Sequence, residues 1–156
     1  MKTRRVHKFF FYVSFILFIT YPSTGYCFTL ITPEEAAQPD APMKRTKGIK
    51  FTRIEGDGPH IKIHSPNLEE PLRIPFVMDI AFEASSDKII DFDTLSIKYI
   101  KLISIDLTGR IKPYLNNNRL MVKDVKVPRG KHRLQLCIAY TSGEKTMMEI
   151  VLNIEK

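Results

Sequence analysis

The chain has no tryptophan and only two cysteines in 156 residues. Without tryptophan it lacks the core anchor of antibody-type domains and the largest side chain for an aromatic binding platform. Two cysteines exclude a multi-bridge disulfide scaffold and leave no dithiol pair for redox work in one motif. No Gly-x-Ser-x-Gly elbow occurs, so a hydrolytic triad has no local support. Acidic residues are scarce over one stretch. Residues 98–133 hold ten cations against Asp106 and Asp124, a net +8, whereas residues 28–97 carry a net −4.

What is present is globular: 44% apolar and 26% charged residues, the size of one ordinary domain. The formal charge of +7 includes Lys2, Arg4, Arg5 and Lys8. These basic residues precede the 13-residue apolar run Phe9–Tyr21, which is followed by Pro22, Ser23, Thr24 and Gly25. A basic start, a short apolar stretch and a small-residue exit read as a secretory signal peptide over residues 1–27. The run is shorter than the roughly 20 residues of a spanning helix, so no stable membrane span is expected after cleavage. Cleavage after Gly25 or after Cys27 suits the small residues; the latter leaves Cys137 as the sole thiol. Removal of the leader cations brings the charge to +3, which weakens any argument for nucleic acid. The expected location is periplasmic or secreted.

Residues 28–48 change character. Thr32, Pro33 and Glu35 make a capping box with proline at the first helical position. Pro39 and Pro42 stop the helix after about one turn, too short to be stable alone. The segment is expected to be a short flexible spacer, with the folded domain spanning 49–156.

Beyond it, apolar residues recur with period two between turn residues. Seven strands are expected: His60–His64, Arg73–Glu83, two halves of Thr94–Thr108 broken near Lys101, Arg119–Val127, Lys131–Thr141 and Thr146–Ile154. Ser142-Gly143-Glu144 reads as the hairpin turn between the last two. Phe76, Phe82, Leu95, Ile97, Tyr99, Leu136, Ile138, Ile150 and Leu152 are the expected core. No convincing helix appears, and the fold class is an all-β antiparallel sandwich of the immunoglobulin-like kind.

Gly58-Pro59 before a strand ending at Ser65-Pro66, and the corner Val127-Pro128-Arg129-Gly130-Lys131-His132, resemble bacterial immunoglobulin-like modules of exported proteins. The resemblance covers about residues 58–154 and implies the fold. Thr141 and Ser142 stand where such modules often carry an aspartate before the glycine of the penultimate turn.

Among chemical candidates, His60 and His64 share a strand face but lie about 13 Å apart, too far for one ion. His132 reads as a corner residue donating to a backbone carbonyl. Asp91 and Asp93 are the pair that a hard cation could share, or turn carboxylates that cap their own backbone. No cofactor, metal or catalytic residue is expected. The basic stretch carries the functional expectation. Lys131 and Arg133 alternate with the inward His132 and Leu134, Arg129 precedes them, and a short hairpin would place Lys123 and Lys126 alongside. These five form an expected basic patch for an envelope protein or anionic polymer, with no nucleic acid. Ile100 and Leu102 are the alternative partner surface. The chain is thus expected to be an exported, non-enzymatic module that binds or scaffolds such partners; a glycan-binding accessory module is the alternative, with Tyr114 the best loop aromatic.

Overall fold

The computed structural model describes residues 27–42, 52–85 and 87–155. The expected leader up to residue 26, and residues 43–51 with the expected spacer–domain boundary, lie outside the described residues. The strands are β1 (Phe28–Thr29), β2 (Thr52–Glu55), β3 (His60–Ser65), β4 (Phe76–Glu83), β5 (Ile90–Tyr99), β6 (Ile105–Asp106), β7 (Leu115–Asn116), β8 (Arg119–Lys126), β9 (Gly130–Tyr140) and β10 (Lys145–Ile154). Two helical turns, α1 (Pro33–Ala36) and α2 (Thr108–Ile111), interrupt them, and a 3-10 turn over Lys112–Tyr114 follows α2.

The strands form two sheets. One has the order β1-β8-β4-β3, with β7 also on β8; the other runs β2-β10-β9-β5-β6. Inward side chains of both sheets merge into a single hydrophobic cluster, so the molecule is a β-sandwich. All seven expected strands are present, and β1, β2 and β7 add short pieces. Alternation is strictest from His132 to Tyr140 and in β10, where every second residue is buried. Their hairpin pairs ten residues without a slip and turns at Gly143, whose φ of +99° favours glycine. Of the expected core, Phe76 is half-buried and the other eight side chains are buried. Ile74 corrects the expected start of its strand. β4 begins at Phe76, three residues after the expected Arg73, and Ile74 is exposed.

Two strands change phase through bulges. In β8 the buried residues are Leu120, Val122 and then Val125, a three-residue step. The pairing with β4 shifts there, and Asp124 takes a φ of +53°. β5 starts at Ile90 and slips against β9 between Asp91 and Ser96; Thr94 Oγ1 fills the gap by accepting from the Ala139 N–H. β5 ends at Tyr99, and the chain returns as β6 with Lys98 opposite Asp106. The break expected near Lys101 is therefore a bend between two paired strands. The helical turns after it were not expected; α2 buries Ile111, with Leu107 buried just before it.

The spacer is corrected over its described part. β1 pairs in parallel with the end of β8, Phe28 opposite Val125 and Thr29 opposite Lys126. This makes the first sheet mixed rather than purely antiparallel. Leu30 and Ile31 are fully buried. The capping box then forms with both reciprocal bonds. Glu35 accepts from Arg110 at 2.8 and 2.5 Å, and Arg110 also donates to the Leu30 carbonyl. Further along, the Leu102 N–H donates to the Pro39 carbonyl. Residues 28–42 thus form a strap from an edge of the first sheet to the β5–β6 link of the second. A single helical turn is marginal alone, but burial of its flanks and the Arg110 bond hold it here.

Candidate functional site

The five expected basic residues do not come from one hairpin. β8 and β9 belong to different sheets, and residues 127–129 cross from one sheet to the other. A short connection fits a hairpin and a sandwich crossover equally well; Pro128, with no N–H for a ladder, sits in the crossover. Lys126 points outward between the buried Val125 and Val127, and Lys123 is exposed further up the same strand. Lys131 and Arg133 do point outward from β9, on the other sheet. Arg133 donates from Nε to Glu149 at 2.8 Å, so its charge is already matched. What the fold brings together is smaller: Lys126 at the end of β8, Arg129 in the crossover and Lys131 at the start of β9. All three are exposed at one end of the sandwich, and none is in an ion pair among the described residues.

Beneath this end lies a buried polar cluster. His132 is buried in the corner, with Nε2 at 2.8 Å from the Pro128 carbonyl and Nδ1 at 2.8 Å from the Tyr99 hydroxyl. A carbonyl only accepts, so Nε2 carries the hydrogen and the Tyr99 hydroxyl donates to Nδ1. Burial pushes the His132 pKa below its ordinary value, which keeps the ring neutral. The expected corner role of His132 is thus observed. Lys101, next along the chain from this cluster, is only 4% exposed. Its ammonium donates to the Ala36 carbonyl at 2.8 Å and to Asp40 at 2.7 Å. Burial is the largest influence and by itself would lower the Lys101 pKa, but the bonds and charges of Asp40 and Tyr99 together outweigh it and hold the value above the ordinary one. In the sequence Lys101 stands out as a break in an apolar face and as one of the ten cations of residues 98–133. The usable signal was that a buried lysine requires a partner.

The remaining candidates are structural. Asp91 Oδ1 accepts from the Asp93 N–H, and Asp93 pairs with Lys112, so both carboxylates serve their loop and its neighbour. Asp79 lies against Arg119 in a two-bond fork that lowers its pKa. His60 and His64 are exposed at opposite ends of β3. Among the described residues no three His, Cys, Asp or Glu side chains gather as a metal site. Cys27 donates to the Asp124 carbonyl, and both cysteines are free thiols. An open groove of about 390 Å³ separates the edge strands β2 and β3, lined mainly by Ile54, Ile61, Ile63, Leu68 and Met148.

No protein-family model, curated protein or solved structure matches this chain. The functional reading rests on the residues themselves. They offer three exposed cations at one end of the sandwich, above a buried His132–Tyr99 pair.

Proposed function

We propose that this protein is an exported, non-enzymatic module of the immunoglobulin-like kind that binds an anionic partner of the cell envelope. The fold type is supported by strand order. β3-β4-β8-β7 opposes β10-β9-β5-β6, the plan of immunoglobulin domains, in which four strands ABED oppose a sheet built on GFC. His132 takes the part of the corner tyrosine of such domains, its side chain bonding to backbone four residues upstream. Export is supported by the sequence of residues 1–27.

The observation that carries the binding reading is the group Lys126, Arg129 and Lys131, three exposed cations without acidic partners among the described residues. Single surface charges contribute little, but several that converge on a polyanion add up and are screened by salt. The glycan alternative is weakened, because the exposed Tyr114 sets its ring against Phe28, centroids 5.0 Å apart, and forms no open platform with it.

The test is retention of the exported protein on isolated envelope fractions. Retention should fall steeply between low and physiological salt. The double reversal Arg129→Glu/Lys131→Glu should remove it while leaving the Tm unchanged. Retention indifferent to both would make these cations an ordinary solvated surface.

A further inference from the structure

The basic end also carries the most exposed large apolar side chains of its half of the molecule. Leu102 and Ile103, in the β5–β6 link, are 65% and 77% exposed. Register fixes where they lie. Tyr99 sits opposite Leu134, and the Ile100 N–H donates to the Arg133 carbonyl, so the link continues toward the start of β9. Ile74, also exposed, follows Leu72, which bridges Ile154, itself opposite Gly130. Arg73 is exposed beside it. Glu155 and Asp40 lie at this end as well: Glu155 offsets one charge, and the Asp40 carboxylate, 76% exposed, is bonded to Lys101.

The apolar tip stands on a fixed base. Lys101 is buried and bonded twice, and Pro39 holds the Leu102 N–H. Leu102 and Ile103 thus project into water from a link that is bonded to the strap at Lys101 and at the Leu102 N–H. Such an arrangement marks an interaction surface. Its chemistry is mixed: aliphatic tips in the β5–β6 link, and cations in the neighbouring crossover. A soluble polyanion would satisfy the cations and leave the tips wet. An apolar groove on a protein would bury the tips but would answer the cations only if acidic groups stood at the matching places on its rim. An anionic bilayer complements both, with hydrocarbon below and phosphate at the level of the headgroups.

We propose that this end of the sandwich docks on an anionic lipid surface. Leu102 and Ile103 enter the boundary between headgroups and acyl chains, while Lys126, Arg129 and Lys131 meet lipid phosphates. The proposal rests on the reading that the protein is exported and binds an anion, and it names the partner.

The test is cosedimentation of the exported protein with phosphatidylcholine vesicles, with and without about 30% phosphatidylglycerol. Soluble polyphosphate serves as a parallel ligand. Binding is expected to the anionic vesicles and not to the neutral ones. Leu102→Asn/Ile103→Asn, which adds no charge, should weaken vesicle binding by about tenfold or more and leave polyphosphate binding intact. Leu102→Ser/Ile103→Ser, the milder pair, should act in the same direction. Arg129→Glu/Lys131→Glu should weaken both ligands. Polyphosphate binding without vesicle binding would overturn the lipid proposal and leave the anion-binding reading standing. Vesicle binding indifferent to the tip variants would also overturn it. Binding to neither ligand would sink both readings.

Discussion

Removal of Asp40 and removal of the Lys101 ammonium should have unequal costs, and the inequality tests whether the strap is latched. Lys101 is 4% exposed, while the Asp40 side chain is 76% exposed. In Asp40→Ala the buried ammonium keeps the Ala36 carbonyl and the Tyr99 side chain, whose ring centroid lies 5.1 Å from Nζ. A hydrogen bond to a charged group contributes about 1.5–3 kcal/mol, and that is the expected loss. It falls below the roughly 3–5 kcal/mol for breaking a fully buried pair, because water already reaches the aspartate side. In Lys101→Met the aliphatic stem stays packed against Tyr99 and the charge disappears. The expected loss is under about 1.5 kcal/mol, as for a volume-conserving core change. Once the ammonium is gone, Asp40 has nothing to satisfy. The double variant should therefore be no less stable than Lys101→Met alone. Guanidinium denaturation of the four proteins gives the coupling directly. Additivity within about 0.5 kcal/mol would refute the latch. The pair also has a signature in base. The folded-state pKa of Lys101 is raised above 10.5, so its contribution is complete below that pH and is lost as the pH rises through the folded value.

Two further outcomes follow from the core and the corner. Phe82 is fully buried and meets Phe92 edge-on with centroids 6.0 Å apart, so Phe82→Ala should cost about 3–5 kcal/mol in chemical denaturation. His132 is held neutral, with a folded pKa below 6.5; its contribution is complete above that pH and is lost as the pH falls toward the folded value, so His132→Gln should flatten the decline of Tm on mild acidification.

The strands were legible because each carries its own instruction. An apolar residue at every second position buries one face whichever strand lies alongside, so the facing of β9 and β10 follows from Leu134-x-Leu136-x-Ile138 and Met148-x-Ile150-x-Leu152. Turn chemistry is equally local. Gly143 permits the hairpin, and Gly56 and Gly58 let their loop close on β10, where a Cβ on either would collide with the Lys145 backbone. The buried corner histidine was visible from the same kind of pattern, as an inward position next to a Pro-x-Gly turn.

Partnership was not legible, since it depends on which elements meet. Val127-Pro128-Arg129 could have closed a hairpin; only the packing of two sheets made it a crossover, and that separated Lys123 and Lys126 from Lys131 and Arg133. Arg133 lost its free charge to Glu149 on a neighbouring strand that its own segment does not specify. The strap is the largest case. Leu30 and Ile31 are two apolar residues without a period, next to a helical turn too short to hold itself. They become core only because the edge of β8 and the side chains of Lys101 and Arg110 converge there, between 65 and 97 residues away in the chain. Local propensity and alternation act over a few residues and are written in sequence. Burial of an aperiodic segment, and the pairing of a charge, are decided by distant surfaces that exist only once the sheets have closed.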